Sequence, residues 1–370
     1  MEKIPFLSLE SIHNQVNQEI LSVVNNIIKN NIFINGPYVK AFEMEFAKLC
    51  NVKYAVGTSN GLDALIIALI TLGIGKNDEV LVPSNTFIAT ILAITHVGAT
   101  PIFIEPDIHT YNLDPTKIEV AITKKTKVII PVHLYGQSCE MDKIMSIARK
   151  YKLFVIEDNA QAHLSLFKGK ITGSWGDINA TSFYPGKNLG AMGDAGALTT
   201  NSSDLALKAN TLKNYGSIEK YKNIEMGYNK RMDELQAGVL TVKINKLIEW
   251  TNSRQLIANE YNFALKNVGD IITPQTHLNA THSYHLYVIR TKFRDELRSY
   301  LVKKGIETSI HYPIPPHLQQ AYKHLGYKEG DFPISEELSK TSLSIPLWPG
   351  MQGETKLVIN EIKRFYEKNS

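Results

Sequence analysis

A lysine that acts as a nucleophile must exist partly as a free amine, which needs surroundings poor in water. Lys187 has such surroundings in prospect. It lies in Ser182-Phe183-Tyr184-Pro185-Gly186-Lys187-Asn188-Leu189-Gly190, a loop rich in glycine and aromatic residues after an apolar, β-prone stretch. Ser182, five residues earlier, offers a hydroxyl to an anion. The loop is not of the Walker type, since Lys187 lacks the spaced upstream glycine and is followed by Asn188. Asp158 closes the run Leu153-Phe154-Val155-Ile156-Glu157. A carboxylate at the mouth of a buried strand is costly without a cation or hydrogen-bond donors. A protonated ring nitrogen is one such partner, and capping the next helix is the other use of an aspartate there. Gly57-Thr58-Ser59-Asn60-Gly61 reads as a strand-to-helix turn, where unpaired N–H groups and the helix dipole favour an anion. Gly227-Tyr228-Asn229-Lys230-Arg231-Met232-Asp233 is a polar turn before a long helix, with Asp233 a candidate cap.

Positioning these groups falls to strands that end beside them. From Tyr54 onward, short apolar, β-branched runs alternate with segments of helix length: Val80 to Val82, Ile102 to Ile104, Val128 to Val132 and Leu153 to Ile156. This is the pattern of a mostly parallel sheet covered on both faces, whose ligands gather at the carboxyl ends of the strands. Ile12, Val16, Ile20, Val23, Ile27 and Ile28 recur at helical spacing, predicting an amphipathic helix over about 10–30, and Asn35-Gly36-Pro37 marks a turn. We read residues 1–240 as a large α/β domain. A single long helix is expected from Asp233 to about Lys266. Residues 241–370 then form a smaller α+β domain, with an apolar stretch Tyr284 to Arg290 and helical patterns at Arg294 to Lys304 and Glu354 to Phe365.

Composition excludes several classes. The 370 residues are 44% apolar and 21% charged, as in an ordinary soluble protein, and the net charge of +4 is dispersed with no basic block to suggest nucleic acid. Cys50 and Cys139 stand far apart, which argues against a disulfide scaffold or zinc site and fits a reducing cytoplasm. His277, His282 and His285 lack metal-ligand spacing. Thr86 to Ile104 contains His96, Gly98 and Pro101 and reads as helix, turn and strand, so no membrane span is expected. The first residues turn polar at His13-Asn14-Gln15 and lack the apolar core of a signal peptide.

With these residues assembled, the chain resembles the DegT/DnrJ-type sugar aminotransferases, members of the fold-type-I pyridoxal-phosphate enzymes. The resemblance runs from Ile4-Pro5-Phe6-Leu7 to Leu347-Trp348-Pro349-Gly350 and includes Ser84-Asn85-Thr86-Phe87 and Asp158-Asn159-Ala160-Gln161-Ala162-His163. It implies that Lys187 carries pyridoxal 5'-phosphate as a Schiff base and that Asp158 pairs with the pyridine nitrogen. It further implies that Gln161 hydrogen-bonds the phenolic oxygen, that Phe87 stacks on the ring, and that Asn60, Gly61 and Ser182 hold the phosphate. Asn229 would reach that phosphate from a partner subunit, which makes a homodimer with shared sites. Asn159, the Leu164-Ser165 pair and Gly186 depart from the commonest family residues, and the last two changes are expected to reshape the pocket. A related dehydratase branch has histidine at the Schiff-base position, so Lys187 speaks for transamination.

Three segments most resemble enzymes that aminate C3 of dTDP-3-keto-6-deoxyhexoses: Asn60-Gly61-Leu62-Asp63-Ala64-Leu65, Pro131-Val132-His133-Leu134-Tyr135-Gly136-Gln137 and His311-Tyr312-Pro313-Ile314-Pro315-Pro316-His317. By that resemblance Tyr184, Lys220, His311 and Tyr312 line a sugar-nucleotide pocket, with glutamate the amino donor. Two alternatives stay open: a 4-keto-6-deoxyhexose 4-aminotransferase, and a catalytically silent regulatory homologue. A nicotinamide-dependent sugar dehydrogenase is disfavoured because no G-x-G-x-x-G follows the first strand.

Overall fold

The computed structural model describes residues 3–351 and 353–369. Four parallel strands lie side by side in the order Thr100–Ile104, Glu79–Pro83, Thr126–Ile129 and Phe154–Val155. Past Val155 the chain runs on to Asp158, which bridges in parallel to Val132 on one side and to Ala180 on the other. Those bridges join the four strands to Asn179–Ser182. Gly196–Thr200 then pairs antiparallel with both Asn179–Ser182 and Tyr54–Thr58. The result is one mostly parallel sheet with a single reversed strand, flanked by helices.

Successive residues of a strand face opposite sides, and here both sides are apolar. Val80, Val82, Val128 and Ile130 pack on one face beneath helices Gly61–Thr71, Ile88–His96 and Ser203–Lys213. Leu81, Ile129 and Val155 pack on the other beneath Met141–Tyr151. Ala197 and Phe183 meet Pro37–Leu49 and Glu234–Ile244. Double coverage explains why these strands read as unbroken apolar runs. Thr86 to Ile104 resolves as expected into the helix Ile88–His96, a turn and the strand Thr100–Ile104.

A second core gathers residues of the C-terminal half: the antiparallel pair Tyr287–Arg290 and Ser342–Ile345, with Ile257 and Tyr261, Leu297 and Leu301, and Val358 and Ile362. Ile4 belongs to this core as well, paired in parallel with Ile306. The N-terminal segment thus crosses to the C-terminal half, and the helix Glu10–Asn30 follows it.

Two expectations about helices need correction. The long helix from Asp233 to Lys266 is two helices, Glu234–Ile244 and Leu247–Ala264, interrupted at Asn245 and Lys246. Asp233 occupies the N-cap position, yet its side chain makes no capping hydrogen bond. The N-terminal end of this helix serves another purpose, because buried Glu234 accepts the N–H groups of Gly36, Tyr38 and Val39 at 2.8, 2.8 and 3.0 Å. A carboxylate there satisfies donors that a helix start leaves unpaired.

Candidate active site

The carboxyl ends of the central strands open into a cavity of about 600 Å³, closed on its far side by His285, Leu286, Ile345 and Leu347 of the C-terminal half. All the site residues expected from sequence border it except Lys220 and Asn229.

Lys187 is presented by a tight turn in which its N–H donates to the Tyr184 carbonyl at 2.8 Å. The residue borders the cavity, half-buried, and burial lowers its pKa to about 8 against a partial offset from the Asp158 charge. About a tenth is therefore free amine at pH 7, against well under a thousandth for an ordinary lysine.

Asp158 is held by its place in the sheet: its N–H donates to the Pro131 carbonyl at 2.9 Å and its carbonyl accepts from His133 N–H at 3.1 Å. Oδ2 accepts the Thr90 hydroxyl at 2.8 Å and Oδ1 the Ala160 N–H at 3.1 Å. Burial pushes the carboxyl pKa up, while these two bonds and the charge of Lys187 pull it back. Glu157, on the opposite face of the strand, is occupied with structure. It accepts the N–H groups of Gly173, Trp175 and Gly176 and pairs with His133 Nε2 at 2.8 Å. The Cys139 N–H donates to Nδ1 of the same ring, which puts the imidazole proton on Nε2.

Gln161 is oriented by its oxygen, which accepts the Tyr135 N–H at 2.6 Å. Its amide nitrogen is left as the donor and meets the Tyr312 hydroxyl at 3.1 Å. Phe87, half exposed at the cavity wall, lies against the Tyr312 ring with centroids 5.3 Å apart. His311 Nδ1 is 2.7 Å from the Ser344 hydroxyl, and burial with the nearby Lys187 charge lowers its pKa to about 4. Burial and the same lysine hold His163 down at about 3 and His285 well below the usual range. Three neutral imidazoles therefore surround one amine.

At the other end of the cavity, Asn60 caps the helix Gly61–Thr71 by accepting the Asp63 N–H at 2.8 Å. Gly61 is packed directly on Ser182, so closely that a Cβ on Gly61 would lie 2.6 Å from the Ser182 Cβ. Only glycine brings the helix start and the hydroxyl together, and this cradle suits a phosphate. An anion at the helix start, an acceptor for a protonated ring nitrogen, an amide donor, an aromatic wall and an amine nucleophile together fit pyridoxal phosphate.

Tyr184 stands exposed at the rim. Lys220 borders a different cavity, also of about 600 Å³, with Tyr215, Tyr221 and Arg231. Asn229 is exposed, its backbone bridged to Asn214. Of the departures noted in the sequence, Leu164 and Ser165 do not border the cavity, Leu164 packing against the neighbouring core and Ser165 donating to the Gly136 carbonyl at 2.6 Å. Gly186 does border the cavity, where a Cβ would come within 3.2 Å of Leu7. Thr90, His285 and Phe6 also border it and were missed. Thr90 had a signal, since it lies one helical turn after Thr86 and Phe87. Phe6 and His285 reach the site by long-range packing that no local pattern announces.

Comparison with known proteins agrees with this geometry. Residues 14–363 match the model of the DegT/DnrJ/EryC1/StrS aminotransferase family. The chain is 48% identical over 363 residues to the dTDP-3-amino-3,6-dideoxy-alpha-D-galactopyranose transaminase of Aneurinibacillus thermoaerophilus, covering 98% of this chain and 99% of that one. Among solved structures, S. venezuelae DesV in complex with a ketimine intermediate is similar at 40% identity with a TM-score of 0.97, over 99% of each chain. NtdA from Bacillus subtilis with bound cofactor PMP is similar at 32% identity with a TM-score of 0.92, over 100% of this chain and 86% of that one.

Proposed function

Because this chain belongs to the DegT/DnrJ/EryC1/StrS aminotransferase family and is a pyridoxal-phosphate-dependent aminotransferase, we propose that it converts a dTDP-linked 3-keto-6-deoxyhexose to the 3-amino-3,6-dideoxyhexose, with glutamate as donor. The observation that carries the reading is the convergence of Lys187, Asp158, Gln161 and the Gly61–Ser182 cradle on one cavity. The choice of C3 and of the galacto series follows the relative at 48% identity.

Bound in this cavity, pyridoxal phosphate supplies an electrophilic carbon and a ring that takes up the electron pair left by a departing proton. The helix start at Asn60 and Gly61, with Ser182, binds the phosphate. Phe87 covers one face of the ring, and Gln161 donates its amide N–H to the phenolic oxygen. Asp158 holds the ring nitrogen protonated, which strengthens the electron sink. Lys187 would hold the cofactor covalently and, as a free amine, would serve as general base and then acid toward the donor carbon. The low pKa of Lys187 suits both duties. His311, Tyr312 and Tyr184 meet the sugar at the mouth.

The working unit in this reading is a homodimer. Among the described residues bordering the cavity, Lys187 is the only lysine or arginine, although a sugar diphosphate brings at least two negative charges. Lys220 and Asn229, outside the cavity of their own chain, are the groups we assign to the partner's site. Exposed Ile32, Phe33 and Ile34, and Ile224 and Met226, lie in the same two segments as Asn35 and Lys220 of the second cavity, as an interface requires. A cytoplasmic location accords with buried, unpaired Cys50 and Cys139. No helix among the described residues is long and apolar enough to cross a membrane.

The test is to offer the purified holoenzyme glutamate with dTDP-3-keto-6-deoxyhexoses of galacto and gluco configuration and with the 4-keto isomer, and to locate the new amine by NMR. Amination at C3, fastest on the galacto sugar, is expected. Amination at C4 would overturn the regiochemistry, and absence of turnover on every keto-sugar would favour the regulatory alternative.

A further inference from the structure

Thr90 occupies the first turn of the helix Ile88–His96, three residues after Phe87 and four after Thr86. Residues at those spacings share a helix face, and all three border the same cavity. Thr90 is only 1% exposed, and its hydroxyl donates to Asp158 Oδ2 at 2.8 Å. A hydroxyl has one proton, and an ionised carboxylate only accepts. The Thr86 hydroxyl, 3.1 Å from that of Thr90, must then be the donor of that contact. With Ala160 N–H on Oδ1, each carboxylate oxygen has one fixed donor. The plane of the group is thereby set, and lone pairs remain for a partner in the cavity.

We propose that Thr90 is a positioning residue for Asp158: its hydroxyl, oriented by Thr86, fixes the carboxylate plane and keeps the group ionised to meet a protonated ring nitrogen. The proposal rests on the reading of Asp158 given above. The titratable groups facing Asp158 are Lys187 from its loop, His133 from the segment after Val132, and Tyr312 from the C-terminal half. The Lys187 charge favours the ionised form, and the Tyr312 hydroxyl accepts the Gln161 amide N–H. Against the cost of burial, the Thr90 bond is the largest single offset. One helix turn therefore carries both the ring-stacking Phe87 and the clamp on the carboxylate.

The experiment compares holoenzymes of the wild type, Thr90→Val, Thr90→Ser and Asp158→Asn. Each is loaded with pyridoxal phosphate carrying 15N in its ring, and NMR across pH reports protonation of that nitrogen alongside kcat and KM. Valine keeps the branched shape and removes only the hydroxyl. Thr90→Val is expected to lower the ring-nitrogen pKa by about one unit and kcat by about tenfold, with KM for the nucleotide sugar unchanged. Thr90→Ser should restore both. Wild-type nitrogen pKa and kcat in Thr90→Val, beside an impaired Asp158→Asn, overturn this proposal alone. Wild-type behaviour of Asp158→Asn as well would remove the reading on which it rests. Should Thr90→Val fail to fold, Thr86→Val reads the same relay: a smaller shift in the same direction is expected, and no shift overturns it.

Discussion

The chemistry of Lys187 depends on how much of it is unprotonated. Its pKa of about 8, set by burial, lies below the ordinary lysine value of 10.5. Between those values the folded chain binds fewer protons than the unfolded one. The buried charge therefore costs stability below about pH 8, and the cost fades as pH rises through 10.5. The same shift makes the amine reactive. In cofactor-free protein, the rate of covalent capture of pyridoxal phosphate should rise with pH to half its maximum near pH 8, read as growth of the visible band in a stopped-flow experiment. A midpoint near that of free lysine would contradict the buried setting. At this scale the sequence was largely legible. Lys187 and Asp158 carry functional groups that are expensive to bury, so their placement in a glycine-rich loop and at a strand end announced a use, whereas Gln161 came only from the family resemblance. Thr90 offered only its helical spacing from Thr86 and Phe87, a weaker sign, because a hydroxyl on an apolar helix satisfies itself in many ordinary settings.

Helix starts do two different jobs in this chain, and each can be broken separately. The helix Gly61–Thr71 leaves its first N–H groups for a ligand, with Gly61 packed on Ser182. In Gly61→Ala the new Cβ, 2.6 Å from the Ser182 Cβ, must push the two apart. Overpacking on that scale predicts cofactor binding about tenfold weaker or worse and a loss of about 1–3 kcal/mol in the stability of the cofactor-free protein. Titration of the cofactor band gives the first number and urea denaturation the second. The helix Pro37–Leu49 instead has its first N–H groups satisfied by buried Glu234. Glu234→Ala strands three donors, two of them buried, and should cost about 3 kcal/mol of stability; a loss below about 1 kcal/mol would rule out this cap as a main tie. Glu234 also marks where local sequence stops informing. The break at Asn245 and Lys246 was unreadable because both residues keep right-handed helical backbone angles and neither is glycine or proline. Only the hydrogen-bonding pattern changes there, Lys246 N–H bonding to the Lys243 carbonyl at 3.0 Å.

Across the whole molecule, the mostly parallel sheet and its double helical cover followed from alternating apolar runs, whereas the strand order and the return of Ile4 to the C-terminal core did not. That contact joins the two ends of the chain and carries Phe6 and Leu7 to the cavity, a consequence of three-dimensional packing that no local spacing encodes. The same limit applies to the oligomer: Asn229 and Lys220 stand away from the Lys187 cavity of their own chain, and in the homodimer proposed above they serve the partner's site. Mixing two disabled proteins tests this. A Lys187→Ala chain lacks the amine but keeps Asn229, and an Asn229→Asp chain keeps the amine but offers its neighbour's phosphate a repelling carboxylate. In a random mixture half the dimers are mixed. If sites are shared, each mixed dimer has one site with both groups intact, so activity returns to about a quarter of the wild-type value. If each chain builds its site alone, every site keeps its own defect, and the mixture shows only the average of the two parents. Recovery should also require conditions in which subunits exchange, and locking the dimers by cross-linking before mixing should abolish it.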